Sequence, residues 1–254
     1  MTKLDSSSIL WFDELSTVEA ATAAKQGKVV IFPVGSVEEH GEHLPLGTDS
    51  IQPEYVALEV ARKTGCLIAP PFRYGIINAG RNFSGSLTIQ FNTLFNVAKD
   101  VLSELARNGF NRIIVLSGHA GSSHMVALRL AAQKVIRQNG EKNGKQHTRI
   151  MVLSDYDFAQ ELTSDLADSN DGHAGTIETA RVMNIRPDLI KAKGIPSNHH
   201  KMPRFEISLH PEKYFPNGVH GDPTKATEEK GQKINNYIIE QIIKLVQELT
   251  HDNT

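Results

Sequence analysis

Four short runs rich in Val, Ile and Leu, at residues 29–34, 66–69, 112–116 and 149–153, punctuate the first two thirds of the chain. They are apolar nearly throughout instead of alternating with polar residues, as a strand buried on both faces requires. Between them lie stretches with helical spacing, at 50–63, 93–108 and 123–138. Strand and helix in alternation predict an α/β fold built on a mostly parallel sheet with covering helices. In the second helical stretch Leu94, Val97, Val101, Leu102 and Leu105 share a face, and Gly109 closes it. A polar EKNGKQ segment at 141–146 reads as a turn. A last helix, at 225–250, carries Ile234, Tyr237, Ile238, Ile242, Leu245 and Val246 toward the domain or a neighbouring subunit. The 254 residues show no composition break, so one domain spanning 1–254 is expected. Residues 70–86 and 196–222 are long irregular loops, the kind that form lids and substrate walls.

The densest chemistry follows the first strand, in GSVEEHGEHLPLGTD at residues 35–49. Glu38, Glu39, His40, Glu42, His43 and Asp49 crowd oxygen and nitrogen ligands at a strand exit, which suits a hard or borderline divalent metal. In extended chain Glu38 and His40 share a face while Glu39 points away. A solvated acidic loop explains the charges but neither the two histidines nor the stiff LPL insert. The next motif, LSGHAGS at 116–122, sets His119 at the C-terminal end of a strand, where α/β sheets bind ligands. Its small residues let backbone N–H groups approach a ligand beside a helix N-terminus. DGHAGTIETA at 171–180 supplies His173 and, early in a helix, Glu178: a proton carrier together with a ligand. The paired His199 and His200 are read as solvated surface.

Bulk properties narrow the remaining classes. A formal net charge of -2 gives no electrostatic case for nucleic acid or an anionic membrane. No apolar stretch is long enough to span a bilayer, and the N-terminus lacks a secretory pattern, so a cytoplasmic protein is expected. The lone Cys66 excludes an intrachain disulfide and a cysteine zinc site, and reads as a small buried hydrophobe. A dinucleotide fingerprint is missing after the first strand, and no Gly-x-Ser-x-Gly elbow appears.

Taken in order, the three motifs resemble the creatininase family of metal-dependent amidohydrolases, with G-S-x-E-x-H-G-x-H-L-P-x-x-x-D, a G-H motif and H-A-G-x-x-E-T. The likeness also takes in LWFDEL at 10–15, FSGSL at 83–87 and residues 218–223. It implies a three-layer α/β/α fold, a homo-oligomer (commonly a homohexamer) and one or two divalent ions, zinc, manganese or iron(II). Carried over, Glu38, Asp49 and His119 would hold one metal, and His40 and Asp49 a second, with Asp49 bridging. Creatinine-hydrolysing members have a further glutamate where this chain has Gly121, so Glu178 is expected to replace it. A mononuclear site of Glu38, His40, Asp49 and His119 is the alternative.

The chemistry implied is attack on a C–N amide bond of a small molecule by water that a divalent ion has acidified. Backbone donors at 118–122 would meet the oxyanion, and His173 would protonate the departing nitrogen. Glu178, if not a ligand, would orient His173 or act as base, and His43 would hold the loop. The expected substrate is a cyclic amide or formamide. One branch of the family deformylates a formylamino-pyrimidine ribotide, whose phosphate Arg73, Arg81, Lys201 or Arg204 would bind. Creatinine is disfavoured because relatives enclose it with tryptophans and only Trp11 is present. Other branches act on sugar-like rings or modified peptides. A non-catalytic metal protein is the competing class, in which the ligands would saturate the ion.

Overall fold

The structure, a computed structural model, describes residues 10–143, 147–198, 200 and 203–251. A capped helix, α1 (Thr17–Lys25), precedes the first strand, β1 (Val30–Val34). Then follow α2 (Thr48–Thr64), β2 (Leu67–Ile68), α3 (Phe91–Arg107), β3 (Arg112–Ser117), α4 (Ser122–Asn143) and β4 (Arg149–Ser154). Short helices α5 (Asp155–Ala159) and α6 (Thr163–Leu166) lead to α7 (Thr176–Ile185) and the long α8 (Glu228–Thr250). The strands pair in the order β2-β1-β3-β4, every neighbour parallel.

Side chains along each strand divide between two cores, as the two-residue period of a strand requires. Val30, Phe32, Ile113 and Val115 face Leu94, Leu102, Leu105 and Leu128 of α3 and α4. Ile31, Ile68, Ile114 and Leu116 face Val56, Val60, Ile177, Ile234, Ile238 and Ile242 of α2, α7 and α8. Helices therefore cover both faces, which is the expected α/β/α layering and the reason the strands read as continuous apolar runs.

Several expected bounds shift, each for a local reason. The 66–69 run shortens to the strand Leu67–Ile68, with Ala69 N–H still donating to the Ile31 carbonyl, because Pro70 and Pro71 follow and a proline offers no N–H to a ladder. α4 continues to Asn143, overriding the polar turn expected at 141–146, of which 144–146 lie outside the described residues. Glu141 and Lys142 are good helix formers, and their polarity alone does not end a helix. α8 begins at Glu228, not residue 225, since Pro223–Lys225 forms a 3-10 turn and the Thr227 side chain caps the helix at Lys230 N. α1 was not expected, although Ser16 and Glu19 form a capping box that the sequence displays. Among the described residues no helix is long and apolar enough to cross a membrane.

Candidate metal centre

The carboxyl ends of β1 and β3 open toward the start of α2, and two glycines allow the approach. A Cβ at Gly35 would lie 2.7 Å from the Asp49 carbonyl, and one at Gly118 only 2.1 Å from it. Both strand exits thus press against the first turn of α2, which holds Asp49 between them. Glu38 and His40 come from the loop after β1, and His119 from the loop after β3. His173 precedes α7, and Glu178 stands in its first turn. Ala174 adopts the left-handed backbone region (φ 53), aiming its N–H at Glu178 Oε2, 2.6 Å away. The Asp171 carboxylate accepts the N–H groups of Thr176 and Ile177, fixing the start of α7.

These side chains form two adjoining groups, Glu38, Asp49 and His119 in one and His40, His173 and Glu178 in the other. Asp49 faces both. Its Oδ2 lies 3.0 Å from His119 Nδ1, and its Oδ1 lies 3.1 Å from His40 Nε2. Glu38 Oε2 is 3.1 Å from His119 Nδ1, and Glu178 Oε2 is 3.6 Å from His40 Nε2.

The opposite ring nitrogens decide what these contacts mean. His119 Nε2 lies 3.0 Å from the Ile76 carbonyl, and His40 Nδ1 lies 3.1 Å from the Glu38 carbonyl. A carbonyl can only accept, so each of those nitrogens donates, and a neutral ring then turns its lone pair toward carboxylate oxygens. Lone pairs facing one another at such distances need a cation between them, either protons or a metal. Glu38 Oε2 and His40 Nε2 are buried without a hydrogen bond despite these close neighbours. Ring nitrogens anchored to backbone carbonyls, with the remaining donors converging, fit a divalent ion in each group. Ser36 Oγ, donating to Asp49 Oδ2 at 2.6 Å, holds the shared carboxylate in place.

Electrostatics agree with that demand for positive charge. Burial alone would raise the Asp49 pKa, yet His40 and His119 hold its carboxyl well below the usual range. Burial likewise opposes a charge on His119, but Asp49 and Glu38 raise its pKa well above the ordinary imidazole value. Against burial, the Glu39 contact and the charges of Glu38 and Glu178 push His173 up to about 10. Burial raises Glu178, overriding the lowering by His40 and His173.

A raised imidazole pKa in the folded state stabilises the fold fully below the unfolded value of about 6.5 and progressively less as pH climbs through the folded value. Chelator-treated protein is therefore expected to lose thermal stability from about pH 6.5 to about pH 10, the value reached by His173. Bound divalent ions, standing in for the protons of His40 and His119, should remove their share of that loss and leave the His173 share. Melting curves near both ends of this range, with and without chelator, check it; parallel declines in the two samples would contradict it.

Residues 13–246 match the family described as Creatininase, creatinine amidohydrolase. The chain belongs to the creatininase family. As a member it is a hydrolase of C–N bonds. Its similarity to the creatinine amidohydrolase of Pseudomonas putida is 25% identity, covering 87% of this chain and 89% of that one. The mycofactocin precursor peptide peptidase of Mycolicibacterium smegmatis is 29% identical, with 81% and 79% covered. A solved creatininase variant described as Zn–Zn type superposes with a TM-score of 0.82 at 25% identity, covering 94% of this chain and 98% of that one.

Beside the two groups lies a cavity of about 600 Å³. Glu38, Asp49, His119, His173 and Glu178 reach it, and the irregular loops supply most of its remaining wall, including Ile76, Asn78, Pro211, Tyr214 and Phe215. Tyr156, after β4, also lines it. His200 is exposed but lines the cavity as well, while His199 lies outside the described residues. A Cβ on Gly121 would come within 2.5 Å of His119 Nε2, so this chain has no room for a carboxylate there without a shift of that ring.

Glu39 is buried and meets the ring that packs on His40: its Oε1 lies 3.2 Å from His173 Nε2, and its carbonyl 2.8 Å from the same nitrogen. His43 joins neither group; it meets Thr179 Oγ1 at 2.9 Å, and burial pushes it down to about 4, so it is a neutral brace between loop and α7. The expected phosphate binders are placed elsewhere. Arg73 is held by both oxygens of Glu54, and Arg204 lies over the Phe205 ring. Neither they nor Arg81 line the cavity, and Lys201 lies outside the described residues. Trp11 packs in the core with α2 and α8 and bridges to Ile68.

Proposed function

We propose that this chain is a metal-dependent amidohydrolase that binds two divalent ions and cleaves the C–N bond of a small cyclic amide or formamide. The observation that carries the reading is the pair of ligand groups beside a cavity, joined by Asp49 within 3.1 Å of both His119 and His40, with buried donor atoms of Glu38 and His40 left without hydrogen bonds. Glu38, Asp49 and His119 would hold one ion, and His40, Asp49 and Glu178 the other. Bound there, zinc, manganese or iron(II) would acidify water and polarise the amide carbonyl.

The chain's own groups do the rest. His173 donates Nε2–H to the Glu39 carbonyl, which leaves Nδ1 to carry the proton that the departing nitrogen needs. Glu39 holds that ring in one orientation and stabilises its charged form. Backbone at Ala120, Gly121 and Ser122, where α4 begins, borders the cavity and offers N–H groups to a developing oxyanion. Tyr156, Tyr214 and Phe215 supply apolar walls for the carbon skeleton and exclude water. The described lining contains no Arg or Lys, so an amide without a phosphate is the first substrate to test, ahead of the ribotide. Cleavage of a peptide-like amide is a second reading, favoured by the similarity to the peptide peptidase of M. smegmatis.

The test is a panel of formamides, cyclic amides and short peptides offered to the metal-loaded protein. Turnover of at least one, lost on chelation and restored by zinc, manganese or iron(II), is expected. His173→Ala should keep its metal and lose about 10²–10⁴-fold in rate, the usual span for a general acid. Turnover indifferent to chelation would overturn the metal-dependent reading.

A further inference from the structure

We infer that His124, together with Ser117, is a positioning residue that fixes which nitrogen of His119 faces Asp49 and Glu38. This rests on the metal-binding reading above and adds to it a group outside both ligand sets. His124 stands in the first turn of α4, completely buried, with its ring edge-on to His119 at a centroid distance of 4.9 Å.

Its two nitrogens are both engaged, and the partners leave one assignment. The Ile76 N–H, 3.3 Å from His124 Nδ1, can only donate, so Nδ1 accepts and the neutral ring carries its hydrogen on Nε2. That Nε2–H donates to Ser117 Oγ, 3.1 Å away. Ser117 in turn donates its hydroxyl hydrogen to the His119 carbonyl at 2.8 Å and accepts the His119 N–H at 3.1 Å. Ile76 closes the circuit: its N–H is held by His124, and its carbonyl, on the next peptide, accepts His119 Nε2–H at 3.0 Å. Backbone and ring of His119 are thus both clamped, and Nδ1 is the nitrogen left for a metal. Ile76 belongs to an irregular loop, where His124 holds the peptide before it and Ile77 N–H on Thr88 Oγ1, at 2.9 Å, holds the peptide that carries its carbonyl.

A buried histidine that merely fills core space makes the opposite forecast for substitutions. Leu keeps the apolar volume, whereas Asn is smaller but carries an amide oxygen where His carries Nδ1. The experiment measures zinc affinity by chelator competition for the whole protein, wild type against His124→Leu and His124→Asn. The wild type is expected to bind two equivalents. In His124→Leu one of them should weaken 10–100-fold, the usual cost of losing a group that orients a ligand, while the other stays unchanged. His124→Asn should recover most of that loss. Equal affinities in the two variants, or tighter binding by Leu than by Asn, would overturn the inference and leave the metal centre standing. No zinc bound by the wild type would overturn both. Ser117→Ala carries the test if a His124 variant fails to fold: it should weaken the same equivalent, and wild-type affinity at that position would count against the clamp.

Discussion

Asp49→Ala is expected to empty both halves of the centre at once. The carboxylate reaches His119 with one oxygen and His40 with the other, so its loss touches both groups. His119→Ala removes a donor from one half only. The expected order is therefore two metals in the wild type, one tight metal in His119→Ala and almost none in Asp49→Ala. Activity in Asp49→Ala should fall more than about 100-fold, beyond what the loss of an orienting group usually costs. His251→Ala, at the exposed end of α8, should change neither quantity and serves as the control. Elemental analysis and initial rates on the same preparations check this. Retention of both metals by Asp49→Ala would remove the bridging role.

Arg181→Met is expected to cause the largest loss of stability. Arg181 lies on α7, one turn beyond Glu178, with its side chain fully buried. Its Nη2 meets Asp155 Oδ2 at 2.6 Å, and its Nε donates to Asn235 of α8 at 3.0 Å. Asp155 is equally buried, and burial pushes its carboxyl pKa up even against Arg181. The pair therefore ties α7 and α8 to the end of β4. Removing one partner leaves an uncompensated buried charge, which typically costs about 3–5 kcal/mol. The double change Arg181→Met with Asp155→Leu should recover much of that, because the desolvation of both ions disappears with them. Urea unfolding of the single and double variants measures both; a single variant within about 0.5 kcal/mol of wild type, the range of an ordinary surface change, would contradict the account. Since Glu178 rides on the same helix, the metal bound beside His40 should weaken in the single variant too.

The layered fold was legible because strands covered on both sides must be apolar on both sides, and Val30–Val34 and Arg112–Ser117 carry that mark. Helix ends were less legible, since they depend on caps and not on composition: Glu141 and Lys142 look like a turn yet continue α4, and Thr227 sets the start of α8. Within the site, residue type and position at strand exits singled out Glu38, His40, Asp49, His119, His173 and Glu178, and the folded chain draws these six into one cluster. Their role as ligands and proton carrier is the proposal. What the sequence could not display were the partners that come from far along the chain. Arg73 stands in sequence as a free cation, but in the fold Glu54 holds it with both oxygens. The alternation of an extended chain sets Glu39 apart from Glu38 and His40, but nothing local says that it meets His173, more than a hundred residues on. His124 and Arg181 read as ordinary helix positions, because the loop carbonyl and the buried carboxylate that give them meaning belong to other elements.

The most direct test of the central claim is the metal content of the wild-type protein, purified without chelator and then incubated in turn with zinc, manganese and anaerobic iron(II), read as metal per chain by elemental mass spectrometry. Two ligand groups that Asp49 joins predict close to two equivalents of at least one of these metals. A chain that takes up none of the three would contradict the account.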